Sequence, residues 1–201
     1  MTAIVKVSPD HDSTELESAS IDKRIEIAER RTRGWLLDQA RLLEKTSEHS
    51  GFVLLMIAVV CVEQLAVFLK GESSENHSRE FFCYACERIF ARPNNCDDTT
   101  LHDALSAVYS HVRCGITHTG LTTAKVTLTG QLKKAMSVGF KERAADQTAR
   151  RQKPDVLGIL VNPHLFLDAV EGYYNDYFLR LRNPDETLLR ENFERAWHLG
   201  E

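Results

Sequence analysis

Apolar positions recur at helical spacing along most of the chain. From Ser20 they fall at Ile21, Ile25, Ala28, Trp35, Leu42 and Leu43 between charged neighbours, predicting an amphipathic helix to about Thr46 with Ser20 as its N-cap. Ser50-Gly51 breaks it. Phe52 to Leu69 then runs for eighteen residues with only Glu63 and Gln64 polar, and stops at Lys70-Gly71, a basic last turn and a glycine cap. After a polar loop, Phe81, Phe82, Ala85, Cys86, Ile89 and Phe90 mark a third helix ended by Pro93. A fourth starts near Thr99, with Leu101, Leu105, Val108, Val112 and Ile116 as its buried stripe. Past Gly120 the period changes. Lys125 to Thr129 alternates and is β-branched, which predicts a short strand, and Val156 to Val161 offers it a partner. From Pro163 a helix resumes through Phe166, Val170, Tyr173, Tyr174, Tyr177, Phe178 and Leu181. Asn183-Pro184 ends it, and Leu188 to Trp197 makes a last short helix.

The expected fold is therefore all-α, a bundle of five to six helices with at most a small two-stranded β-hairpin. Residues 1–18 are polar and unpatterned and read as a flexible tail. Residues 19–201 form a single helical domain in which 122–162 are a basic loop or hairpin insertion.

Composition narrows the class. At 201 residues, 43% hydrophobic and 27% charged, the chain has an ordinary globular make-up and needs no disulfide or metal to hold a core. Five cysteines, an odd number, behind an N-terminus without an apolar leader point to reduced thiols and a cytoplasmic setting. The Phe52–Leu69 stretch is the one membrane-like segment. A span needs about 20 apolar residues and a central acid costs roughly 2.5–3.5 kcal/mol on insertion, so the stretch reads as the buried central helix of a bundle, with no membrane partner.

Charge is uneven. Lys125 to Lys153 holds eight basic residues against Glu142 and Asp146, a local +6 on a remainder of −10. Such a segment fits either a phosphate-bearing partner that touches one region or a solvated basic loop. Its Lys133/Lys134 and Arg150/Arg151 pairs are the candidate RNA-binding residues.

Cys83-x-x-Cys86, Cys96 and His102 pass a first test as zinc ligands, yet Cys83 and Cys86 sit in an aromatic helical run rather than a knuckle. Buried, apolar thiols are the better reading, and no metal or cofactor is expected. No phosphate-binding glycine loop, nucleophile elbow or His-Glu-x-x-His pair occurs. The informative stretch is Val112 to Gly120, at the end of the fourth helix. Arg113 and His118 lie roughly 140° apart around an ideal helix and flank the apolar stripe, where a second chain would face both. An arginine fork suits a phosphate, and a histidine exchanges a proton near neutral pH. That is the minimum equipment for RNA cleavage by the neighbouring 2′-hydroxyl. A capping or surface role is the plain alternative.

The stretch resembles the Arg-x(4–6)-His signature of the HEPN superfamily, on Arg113, Cys114, Gly115 and His118, with Glu63 on the preceding long helix as a looser match. The resemblance implies a small helical bundle acting as a homodimer, with the motif at the interface. It further implies a metal-independent endoribonuclease of toxin or phage-defence type, with RNA as substrate and an antitoxin or defence-system protein as partner. In such proteins an acid pairs with the motif arginine, which makes Glu63 a catalytic candidate beside Arg113 and His118. One departure is Cys114, where catalytic members carry a polar residue, commonly asparagine; a thiol is a poor donor. A non-catalytic module binding RNA, nucleotide or protein is the alternative.

Three further readings stay open on residues alone. Glu63 in an apolar helix needs a partner, a proton or a surface position. His111, seven residues before His118, is either solvated, an assistant to the chemistry or a co-ligand. Tyr173, Tyr174 and Tyr177 either pack or stack bases.

Overall fold

The computed structural model describes residues 4–16, 18–90, 92, 97–141 and 155–199. Among them, six helices and three strands run in the order α1 (residues 21–46), α2 (Gly51–Lys70), α3 (Ser78–Ile89), α4 (residues 98–119), β1 (Val126–Leu128), β2 (Met136–Phe140), β3 (Val156–Val161), α5 (Pro163–Leu181) and α6 (Thr187–His198). Helix α2 is the axis, packed chiefly by α5, α3 and α6. Leu54, Leu55, Val62 and Leu65 are fully buried along it, each contributing about 1.5–3 kcal/mol. Length and composition alone would let α2 cross a membrane, but here its apolar surface is spent mostly on other helices.

Two helices carry a π turn, Arg33–Leu37 in α1 and Tyr109–Arg113 in α4. Each turn accommodates one extra residue and rotates the later part of its helix relative to the earlier part. In α1 the buried series runs Ile25, Ala28, Thr32, Leu37 and Ala40. The predicted core positions Trp35, Leu42 and Leu43 are consequently exposed, Trp35 by 44%. A straight 3.6-residue count cannot anticipate that slip. Gly34 sits in the turn because a Cβ there would collide with the ring of Pro9.

Pro9 belongs to a strap of residues tied to α1. Arg31 Nε donates to the Val7 carbonyl (2.6 Å), and Arg30 pairs with Asp10. Buried His11 bridges Ser8 Oγ (2.7 Å) and Glu26 (3.2 Å). The anchors are isolated polar contacts, which leave no periodic mark in the sequence.

The expected two-stranded hairpin is a three-stranded sheet of order β1-β3-β2. β1 does pair with β3, Val126 opposite Ile159, but in parallel, and β2 pairs antiparallel to β3 with Met136 opposite Val161. Two parallel strands cannot be joined by a tight turn, so the chain inserts β2 on the far edge of β3. The side chain of Asn162 locks sheet to bundle: it caps α5 and donates to the carbonyls of Gly130 and Leu132.

Candidate functional site

The site is built where α4 crosses beside α2. Arg113 closes the π turn of α4 and reaches Glu63 on α2 through two parallel hydrogen bonds, Nε to Oε1 and a terminal nitrogen to Oε2 (2.9 Å). The side chains are 15% and 25% exposed, so the pair is partly shielded from water. The carboxylate holds the Arg113 guanidinium above its ordinary pKa, against the opposing effect of burial. The Tyr109 ring lies 5.4 Å from the guanidinium carbon, and its hydroxyl is held by Ser78 Oγ (2.7 Å). Glu63 thus takes the ion-paired one of its three open states. Two of the five guanidinium N–H groups are committed to Glu63.

His118 lies in the last turn of α4 (Cys114–Thr119 being regular helix), exposed at the surface, its side chain making no hydrogen bond to another described residue. Regular helix after Arg113 keeps the roughly 140° separation, so one chain turns Arg113 toward α2 and His118 toward solvent. Cys114 between them is half-buried. The neighbouring threonines are tied down: Thr117 Oγ1 donates to the Arg113 carbonyl (2.9 Å) and Thr119 Oγ1 to that of Gly115 (2.8 Å). Gly115 has its own reason. A Cβ there would stand 2.6 Å from the Leu121 carbonyl oxygen, because residues 121–123 fold back over the helix and Thr123 N–H donates to the His111 carbonyl (3.1 Å).

Beside the pair, α2 presents a stripe that no described element covers completely: Val53, Met56, Val60 and Val67, with Glu63 among them. Val53 is 41% and Val60 54% exposed.

The other sequence candidates fall elsewhere. Lys133 and Lys134 are exposed on the β1–β2 loop, and no described contact joins them to Arg113 or His118. Arg150 and Arg151 lie outside the described residues, as do Pro93 and Cys96. Cys83 and Cys86 are buried on α3, where burial pushes the Cys83 thiol up to about 11 and raises that of Cys86 well above the ordinary thiol range. His102 is exposed on α4, and no described group of histidines, cysteines and acids is arranged to hold a metal. Tyr174 donates to the Cys61 carbonyl (2.8 Å) and Tyr177 stacks on Phe68; both are buried packing residues. His111 Nδ1 meets Thr123 Oγ1 (3.0 Å), and burial, aided by Lys125, lowers its pKa so that the ring is neutral at pH 7.

His111 also lines an open groove of about 230 Å³ between α4, the start of α3 and the roots of β1 and β3. Its wall on α4 is Asp103, Ser106 and Ser110, spaced i, i+3, i+7 on the face opposite the apolar stripe. That polar periodicity is legible in the sequence, but what stands across from it is not. Comparison with family models, with curated proteins and with solved structures found no match.

Proposed function

We propose that this chain is a metal-independent endoribonuclease, acting in the cytoplasm as a homodimer of toxin or phage-defence type. The observation that carries the reading is the two-bonded Glu63–Arg113 pair with His118 on the same helix, its side chain bonded to no described residue. Glu63 fixes the guanidinium in place before substrate arrives, so its remaining N–H groups need no reorganisation to meet a phosphate. His118 takes the proton from the 2′-hydroxyl, whose oxygen attacks the adjacent phosphorus; the bond to the 5′-oxygen breaks, that oxygen leaves with a proton from water, and a 2′,3′-cyclic phosphate is left. Arginine and histidine together supply the charge and the proton transfer this chemistry needs.

One chain turns its two motif side chains apart, and a second copy brings the missing half. The exposed stripe Val53, Met56, Val60 and Val67 borders Glu63 and is the surface we assign to that copy, since apolar stripes of this kind mark protein contacts. An antitoxin or another defence protein would act on the same dimer. Cys114 favours a second reading, a module that holds RNA, nucleotide or protein without cutting, because a thiol cannot replace an amide donor after the arginine.

The deciding experiment is incubation of the purified chain with mixed RNA in excess chelator. Cutting with 2′,3′-cyclic phosphate ends, abolished in His118→Ala, supports the nuclease. Equal cutting by His118→Ala, or cutting that chelator stops, overturns it.

A further inference from the structure

The groove beside the motif carries a separate inference, which rests on the proposed RNA reading. Its floor is the polar face of α4, where Ser110 Oγ donates to the Ser106 carbonyl (2.9 Å), and its rims bear Arg79 on α3, which donates to Ser106 Oγ (3.5 Å), and Lys125 before β1. The Lys125 side chain is exposed and has no hydrogen bond or ion pair with any described residue. The ring of His111 uses Nδ1 on Thr123 and brings an imidazole, its second nitrogen bonded to no described residue, to the same wall. Asp103 and Asp155 make the groove mixed in sign, and each already interacts with a protein group, Asp155 with Lys141 (2.9 Å).

A bare anion would meet repulsion from Asp103. A nucleotide offsets that repulsion, because it presents a phosphate to cations and hydroxyls or ring N–H groups to carboxylates and serines. Two further observations favour a nucleotide within a strand. Tyr109 has the Arg79 guanidinium carbon 5.3 Å from its ring centroid and that of Arg113 at 5.4 Å, so the two cations are no more than about 11 Å apart across one ring. Two basic residues of the Lys125–Lys153 run also serve this groove, Lys125 on its rim and Lys141 bonded to its Asp155 (2.9 Å).

We propose that this groove is a ribonucleotide subsite, holding a nucleotide that flanks the phosphate at Arg113. Lys125 and Arg79 take its phosphate, and Asp103, with Ser106 and Ser110, takes the ribose 2′-hydroxyl or base N–H groups. The 2′-hydroxyl is what separates RNA from DNA at such a place. The subsite would therefore select RNA as well as bind it.

The test is fluorescence anisotropy with a labelled eight-nucleotide RNA and the same sequence in DNA, in the His118→Ala background so that no strand is cut. Lys125→Glu should weaken RNA binding at least tenfold at low salt. Lys125→Ala should reduce the log–log salt slope by about 0.7, one phosphate contact on a single strand. Asp103→Asn should erase the preference for RNA over DNA while leaving DNA binding within twofold. Unchanged affinity and preference in both Lys125→Glu and Asp103→Asn, with native circular dichroism, would overturn the subsite. The two ideas fail separately. A chain that never cuts RNA yet shows these losses keeps the subsite and loses the nuclease, and a chain that cuts while these variants bind normally does the reverse.

Discussion

The Glu63–Arg113 pair is the place where stability and function can be pulled apart by a double-mutant cycle. An exposed ion pair is worth roughly 0.2–1 kcal/mol, whereas breaking a buried one costs about 3–5 kcal/mol. With side chains 15% and 25% exposed and two parallel hydrogen bonds, this pair lies between the two, at about 2 kcal/mol. For a chain of this length each kcal/mol moves the melting temperature by roughly 2–4 °C, so Glu63→Ala should lower it by about 4–8 °C. Arg113→Ala should lower it too, and the double variant should lose about 2 kcal/mol less than the two single losses combined. The assay is thermal unfolding by circular dichroism at one fixed protein concentration, because dimerisation would otherwise shift the curves. A second pair of substitutions separates the roles. Glu63→Leu with Arg113→Met replaces the pair by apolar side chains of similar length, and such swaps are often neutral or stabilising. This variant should melt within a few degrees of the parent and cut no RNA. Strict additivity in the alanine cycle would refute the energetic argument, and cutting by the Leu/Met variant would refute the functional one.

The structure sets five further outcomes. Val60→Asp, on the exposed stripe of α2, should give a monomer by light scattering while the helical spectrum is kept, and a parent that is itself monomeric at micromolar concentration would defeat the dimer. Gly115→Ala should be destabilising by about 1–3 kcal/mol in urea unfolding despite alanine's better helix propensity of about 1 kcal/mol, because the new Cβ must displace the Leu121 carbonyl. Arg41→Ala should cost about 1–2 kcal/mol, since Arg41, steadied by Glu44 on its own helix, joins α1 to α5 through Asp168 and Glu171, and the loss should shrink in high salt; equal loss at both salts would argue for packing instead. Cys61 and Cys83, pushed up to about 12 and about 11, should resist thiol reagents at pH 8 until the chain unfolds. Their unfolded thiols ionise near 9 before the folded ones do, so stability should fall as pH rises from about 9 toward 11–12; a flat urea midpoint across that window would contradict their burial.

The local rules of the chain settled most of its elements. Ser20, Gly71, Asn183-Pro184 and the apolar spacing mark helix ends and faces wherever the turn is regular, because a cap or a 3.6-residue stripe is a property of neighbours in sequence. The same rules picked out Arg113 and His118 and made Glu63 a residue that needs a partner. Only the tertiary structure decided the rest. The π turn at Arg33–Leu37 moved Trp35, Leu42 and Leu43 out of the core, since a one-residue slip leaves composition unchanged while rotating the helix from that point on. Strand β2 and the parallel direction of β1 and β3 depend on which edges meet, and Met136–Phe140 has no signature strong enough to announce that. The strap at Val7 to His11 is held by single contacts to Arg30, Arg31 and Glu26, each of them long-range. Above all, Glu63 meets Arg113 across fifty positions of sequence, and Arg79 and Lys125 come to one groove from two different elements. Spacing along a chain names the groups that need partners; packing decides which partners they get, because burial and charge act over a few ångströms of space and not over sequence.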